Sequence, residues 1–467
     1  MLEQVFLHQK QHSLRLRKEP LATRLEHLTA LEKSIERHQE KIVAALQADF
    51  KKPAAETLLT EIYPVLKEIQ HVKKNLTRWA RPEKVARSLL LLTTTSFIYK
   101  EPRGVCLIIG PWNYPLQLML TPLVSALAAG NCAILKPSEF TTHTSRVLAQ
   151  IVQECFSENH VALVQGGAET TQELLKLPFD HIFFTGSTRV GKIVMEAASR
   201  HLSSVTLELG GKSPTIVDAS ADIDVAAEKI AWAKFVNASQ TCIAPDYVLV
   251  EHTVYERFKK ALINKINGFY GSSPLEQKNS PDYACIVSSQ HTIRLKNLIE
   301  DALEKKAEIA YGGEVDIEKR FVAPTLLEKV DLHSNVMKEE IFGPLLPLIP
   351  FQTLSEAVHF INERPKPLAL YMYSHSKLNI DEVLQATSAG GVCINDSVIH
   401  FSHHGLPFGG VQESGLGHYH GIFGFKAFSH EKAVLKQSSW GKFMRLVYPP
   451  YTPFKLDLIR KILKWKL

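Results

Sequence analysis

Between residues 104 and 236, short apolar runs alternate with stretches of helical periodicity, and this alternation constrains the fold more than any other feature of the chain. Residues 104–110, 132–135, 161–164, 181–184 and 205–207 read as strands. Residues 115–129, 141–155, 169–176, 188–200 and 222–236 read as helices. Strand and helix in strict succession predict a doubly wound parallel sheet covered on both faces, an α/β fold. A second α/β series begins near Gly210. Its strands are expected at 213–217, 247–250, 345–349, 370–373 and 391–394, and its helices at 254–266, 288–305, 355–362 and 378–387. Upstream, Leu21, Leu25, Leu28, Leu31 and Ile35 recur at helical spacing, so residues 20–50 and 56–79 are expected as helices. Residues 405–424 read as a glycine-rich loop region and 431–437 as a late strand.

The first strand and helix also account for a charge-free stretch from 104 to 135. Pro111, Asn113, Pro115, Gln117, Pro122 and Asn131 interrupt it, and lipid would leave their polar groups unsatisfied, so a membrane span is rejected. Burial within a parallel sheet explains the same apolarity. The first 24 residues mix Lys, Arg, His and Gln and contain no apolar core of the secretory kind. Six cysteines without CxxC spacing indicate a reduced, cytoplasmic type of chain, with no disulfide scaffold and no zinc site. The net charge is +6, and from Gly441 onward seven basic residues face one acid, Asp457, so the last segment carries the whole excess. The body is neutral, which argues against a surface that coats nucleic acid. In 454–467, Phe454, Leu456, Leu458, Ile459, Ile462, Leu463, Trp465 and Leu467 share one broad helical face, with Arg460, Lys461 and Lys464 opposite. Such a helix spans only about 21 Å, too short to cross a bilayer. It either touches a membrane surface or docks on the protein's own body.

Seven constellations carry possible chemistry. Asn113, in Pro111-Trp112-Asn113-Tyr114-Pro115 after a strand, is either an oxyanion donor or a turn cap. Lys136 and Glu139, also after a strand, are either a ribose grip or a solvated loop. Gly186, Ser187 and Gly191 open a helix that can face an anion, but G-S-x-x-x-G is not the dinucleotide fingerprint. Glu208, among leucines and glycines, is either a general base with a raised pKa or a salt-bridged structural acid. Cys242, in a turn before a strand, is either a nucleophile or a small core residue. Residues 338–344 and 406–415 are each consistent with plain turn chemistry.

Taken together, in this order and spacing, these motifs resemble the aldehyde dehydrogenase superfamily over roughly residues 20–450. Residues 241–247, Asn395-Asp396, Tyr419-His420-Gly421 and Tyr448-Pro449-Pro450-Tyr451 resemble its class 3 branch, which includes fatty and aromatic aldehyde dehydrogenases. The resemblance implies NAD as cofactor, with NADP also accepted, and oxidation of medium- to long-chain or aromatic aldehydes to acids through a cysteine thiohemiacetal and thioester. It makes Cys242 the nucleophile, Glu208 the base, and Asn113 with the Cys242 N–H the oxyanion hole. Lys136 and Glu139 would hold the adenosine ribose, Gly186, Ser187 and Gly191 the pyrophosphate, and Glu340 the nicotinamide ribose, with Phe342 lining that pocket. No metal is expected, even from His400, His403, His404, His418 and His420; His420 falls near the nicotinamide or substrate pocket.

The same resemblance implies a Rossmann-type dinucleotide-binding domain (1–82 and 101–209), a catalytic domain (210–395), an oligomerisation or bridging arm (83–100 and 396–440) and a basic tail (441–467). A homodimer is expected through 89–99 and 431–437, with peripheral membrane contact through the tail. Two alternatives stay open on the same fold: a CoA-acylating enzyme, although such enzymes typically lack the glutamate base, and a catalytically silent binding protein. A cysteine hydrolase would need a histidine placed against Cys242.

Overall fold

The computed structural model describes residues 2–86, 91, 93–438, 445 and 448–464. Helices α1 (Leu2–Leu16), α2 (Leu21–Arg37), α3 (Gln39–Phe50) and α4 (Tyr63–Trp79) come first. The expected alternation follows: β1 (Thr94–Pro102), β2 (Val105–Ile109), α5 (Gln117–Ala129), β3 (Cys132–Lys136), α6 (Thr142–Cys155), β4 (Val161–Leu163), β5 (His181–Thr185), α7 (Thr188–Ser199) and β6 (Ser204–Glu208). The second series contains β7 (Pro214–Val217), α8 (Ile223–Phe235), β8 (Tyr247–Glu251), α9 (Tyr255–Tyr270) and α10 (Ser289–Glu304). It continues through β9 (Glu308–Tyr311), β10 (Thr325–Glu328), β11 (Leu345–Phe351), α11 (Leu354–Asn362), β12 (Ala369–Tyr373), α12 (Lys377–Ala386) and β13 (Gly391–Ile394). The chain closes with β14 (Gly415–Leu416), α13 (Gly421–Ala427), β15 (Ser429–Gln437) and α14 (Pro453–Lys464).

The first sheet has the order β14-β6-β5-β2-β3-β4, parallel except for β14. Strand β2 is its turning point, with β3 and β4 built out on one side and β5 and β6 on the other. Ligands of open α/β sheets bind outside the carboxyl ends of the strands at such a point. The second sheet runs β9-β10-β11-β8-β7-β12-β13, with only β9 antiparallel to its neighbour. Every residue of β2, α5 and β3 is buried, so burial in protein accounts for the charge-free stretch. Among the described residues, no helix is long and apolar enough to cross a membrane.

Several elements depart from the sequence reading. Helix α1 escaped it because Gln9 occupies a core position between Phe6 and Ser13. Its amide donates to the Ala133 and Glu158 carbonyls, which satisfies the group and breaks the apolar period. The helix expected over 20–50 bends at His38, where the backbone leaves helical angles. Residues Leu58–Ile62 form a π turn that points Glu61 inward. The antiparallel edge pair β9 and β10 was also not anticipated.

Residues 415–428, expected within the arm, return to the first sheet. Strand β14 pairs with β6, and Tyr419, Phe425 and Phe428 pack in the core beneath α2, α5 and α6. Strand β1 pairs with β15 over nine residues, with Glu83–Lys84 on the other edge of β1. Residues 87–90, 92 and 439–440 of the expected arm, and 441–444, 446–447 and 465–467 of the expected tail, lie outside the described residues.

Candidate active site

The turn that carries Cys242 is strained before it reaches the cysteine. Asn237, Ala238 and Ser239 all have positive φ, between 50° and 62°, and only asparagine tolerates that region readily. Each such residue costs on the order of 1–3 kcal/mol and persists only where the surroundings enforce it. Here they do. The Asn237 N–H donates to Glu56 (3.0 Å), and its amide donates to the Asn113 carbonyl (3.0 Å). Gln240 donates to the Asn237 and Cys285 carbonyls and accepts from the Val287 N–H. Thr241 and Tyr114 share a hydroxyl hydrogen bond of 2.7 Å. The Tyr114 ring in turn lies 3.9 Å from the Lys52 ammonium, which pairs with Glu61 in full burial. Glu61 also accepts the Leu116 and Gln117 N–H groups at the start of α5, and so fixes the loop that holds Asn113.

Asn113 is 2% exposed, and its amide donates to the Gln240 carbonyl at 2.9 Å. That uses one of its two amide hydrogens and leaves the other for a ligand. Cys242 is half-buried, beside the backbone N–H groups of Cys242 and Ile243. Burial, then the carboxylates of Glu340 and Glu208, push its thiol far up, so it rests protonated. Glu208, at the end of β6, shares a cavity wall with Cys242, Tyr114 and Thr241. It is 2% exposed and neither carboxylate oxygen has a hydrogen-bond partner, so burial alone raises its pKa well above the usual carboxylate range. A buried acid without partners is costly, which argues against the salt-bridged structural reading. Most of the remaining wall is apolar, from Leu118, Trp232, Ile243, Val398, Phe401 and Phe408, with Thr60, Gln117, Thr185 and His420 among its other polar members.

The residues expected around a cofactor line the carboxyl ends of β3, β5 and β6. Lys136 is buried and donates to the Pro137 carbonyl (2.9 Å) and to Glu139 (3.3 Å), whose carboxylate is half open to solvent. Gly186 follows β5, and Ser187 caps α7 by accepting the Val190 N–H. Gly191 is buried in the first turn of that helix. The α7 N-terminus therefore faces the crevice with its partial positive charge, as a pyrophosphate requires. Glu340 lies over Gly210, where a Cβ would run into its carboxylate, and the Gly211 N–H donates to it. Burial and the nearby Asp246 push its pKa up to about 8. The Phe342 ring meets Trp112 edge-on at 5.3 Å. Glycines under the acid, a capped helix end and the Lys136–Glu139 pair fit a dinucleotide. Among the described residues, no group of three or more His, Cys, Asp or Glu is arranged to hold a metal ion.

The sequence reading did not find the supports. Lys212 pairs with Asp246 and donates to the Val336 and Glu339 carbonyls. Asp246 accepts the Ile341 N–H, and Arg294 reaches the Glu340 carbonyl. These three residues clamp the Glu340 loop from both sides. Nothing in local sequence marks them, because each acts across more than thirty residues of chain. Buried Gln240 and the Lys52–Glu61 pair escaped too, because the Cys285 carbonyl and the start of α5 that they hold lie 45 and 55 residues away.

The model of the aldehyde dehydrogenase family matches residues 7–434. The chain is 44% identical to aldehyde dehydrogenase family 3 member A2 of Rattus norvegicus, covering 94% of this chain and 90% of that one. It is 45% identical to the 4,4'-diaponeurosporen-aldehyde dehydrogenase of Staphylococcus aureus, covering 94% of each. The substrate-bound structure of Staphylococcus aureus AldH superposes with a TM-score of 0.94 at 43% identity, over 99% of this chain and all of that one. The chain belongs to the aldehyde dehydrogenase family.

Proposed function

We propose that this NAD(P)-dependent aldehyde dehydrogenase oxidises apolar aldehydes, medium- to long-chain or aromatic, through an acyl group carried on Cys242. The observation that carries the reading is the apolar cavity that ends on Cys242 and on the partnerless Glu208. Cys242, which rests as a thiol, gives up its proton to solvent and adds to the aldehyde carbon as a thiolate, and the oxygen takes up the charge. The free hydrogen of the Asn113 amide and the Cys242 N–H hold that oxygen. When bound, the nicotinamide cofactor accepts the hydride, which leaves a thioester on Cys242. Glu208 then takes a proton from water, the water oxygen attacks the thioester carbon, and the acid leaves with the thiol restored. Lys136 and Glu139 would hold the adenosine ribose, Gly186, Ser187 and Gly191 the pyrophosphate, and Glu340 the other ribose, with Phe342 at its edge. Glu139 disfavours a 2′-phosphate, so NAD is preferred and NADP accepted.

A series of straight-chain aldehydes tests the substrate class. Each methylene buried along the cavity contributes about 0.8 kcal/mol, so kcat/KM rises about fourfold per carbon until the cavity is full. A flat or falling series from acetaldehyde upward would reject the apolar-substrate reading.

We also read the units as a cofactor-binding body, a catalytic body around the second sheet, and an arm of β1 and β15 that joins two chains in a homodimer. Exposed Tyr99 and Leu435 on that arm support this. The tail reading rests on α14, which leaves Phe454, Leu456 and Leu463 exposed beside exposed Tyr448 and Tyr451. A basic helix with such a surface suits the edge of an anionic bilayer. The full chain is expected to sediment with anionic liposomes at low salt and to be released at high salt, whereas a chain ending at Thr452 stays in solution. Equal, negligible sedimentation of both would leave the helix as a docked element.

A further inference from the structure

The reaction read above turns aldehyde, water and oxidised nicotinamide into carboxylate, reduced nicotinamide and two protons. If Glu208 is the base, those protons arise beside a carboxylate that has no polar partner. They need a way out, and another buried acid, Glu68, lines the neighbouring cavity.

His420 is 4% exposed, and neither ring nitrogen has a hydrogen-bond partner. Its ring stacks on Phe408 (5.3 Å, 16°) and abuts Tyr419 at 4.3 Å, so its flanks are apolar. It forms part of the wall of the cavity that holds Glu208 and Cys242. It also walls a second cavity, which is lined by Glu68 and His404. A residue other than glycine is held here at φ 75°, a conformation maintained only by its surroundings. Glu68, 1% exposed on α4, accepts the Gly421 N–H at 2.7 Å and lies 2.7 Å from His404 Nδ1. Burial pushes the Glu68 carboxyl up, but the His404 hydrogen bond and the neighbouring His420 outweigh it and keep the acid below its ordinary value. The His404 side chain is 22% exposed. His71 stacks on it at 5.2 Å, with Lys74 and Arg78 of the same helix nearby. His404 is the point where the line reaches solvent.

We propose that His420, Glu68 and His404 form the proton exit of this enzyme, leading from the Glu208 cavity to the surface. Imidazole takes a proton at one nitrogen and releases one from the other, so it conducts without accumulating charge. Protonated Glu208 returns to carboxylate by giving its proton, by way of the water that enters for deacylation, to the free nitrogen of His420, whose ring burial keeps neutral. The other nitrogen releases its proton toward Glu68, and Glu68 hands one to His404, which discharges it to solvent. Every carrier ends with the protons it began with, and no electrons move. His404 and Glu68 act through Glu208 and are positioning and relay groups.

The test uses the full-length enzyme with His404→Gln and His420→Asn, each assayed for the first-turnover burst of reduced nicotinamide and for steady-state turnover. The burst reports acylation and hydride transfer, and its retention shows an intact fold. The expected result is a normal burst with kcat lowered about tenfold or more in dilute buffer, within the range of a proton-transfer contribution. Adding imidazole is expected to restore kcat in His404→Gln, whose vacated site opens to solvent. A structural role would not respond to buffer. Unchanged kcat in dilute buffer, a loss that no buffer restores, or a burst lost in both variants would each overturn the exit. Failure of the Glu208 reading is distinguishable: Glu208→Gln would then turn over normally, whatever the histidine variants do.

Discussion

Replacing Cys242 with alanine lowers aldehyde oxidation by on the order of 10⁴-fold or more while nicotinamide binding is unchanged, because a covalent nucleophile cannot be substituted in part. That is about 5.5 kcal/mol of transition-state stabilisation. The geometry separates the two effects. Cys242 lines the apolar cavity, whereas the groups read as holding the adenosine end, Lys136, Glu139 and the α7 N-terminus, lie at the ends of β3 and β5. Folding is expected to survive, because the Cys242 side chain is half-buried and the substitution removes only one sulfur. The checks are steady-state oxidation of a good aldehyde, titration of the cofactor by fluorescence, and thermal unfolding. Activity above about 1% of wild type would remove Cys242 from the nucleophile role, since losses of that kind normally span orders of magnitude.

The alternation that opened the sequence reading gave the two parallel sheets, because a buried parallel strand needs a continuous apolar run and its helix a periodic one. The motif residues fell at strand ends for the same topological reason. What stayed hidden depends on distance along the chain. Glu208 was equally readable as structural until both its oxygens proved partnerless. Its tyrosine, threonine and tryptophan neighbours come from three separate segments. The left-handed run Asn237-Ala238-Ser239 has no signature, since alanine and serine do not announce positive φ. Lys52, Glu61 and Gln240 read as ordinary polar residues, and only burial beside the Asn113 loop gives them a role. The resemblance placed residues 415–428 with the arm, and a two-residue strand and a seven-residue helix leave almost no periodicity to set against it.

Changing Glu208 to glutamine tests the second half of the reaction alone. The substitution keeps shape and volume, and the carboxylate it removes makes no hydrogen bond or ion pair, so stability is expected to hold or rise. Acylation of Cys242 and the first hydride transfer proceed, giving one equivalent of reduced nicotinamide per site. Deacylation then slows by about 10²–10⁴, the usual contribution of a positioned general base. The acyl-enzyme accumulates and is visible by intact mass as the parent chain plus the acyl group. The pH dependence has a definite sign. Glu208 works deprotonated, and burial raises its pKa well above the ordinary carboxylate value. Wild-type kcat therefore climbs as pH rises through that raised pKa, on a limb displaced upward from where a solvent-exposed glutamate would titrate. Glu208→Gln lacks this limb and shows only the slow, nearly pH-independent attack of unassisted water. Normal turnover with no covalent species would make Glu208 a structural acid, and a missing burst would move its role to the acylation step.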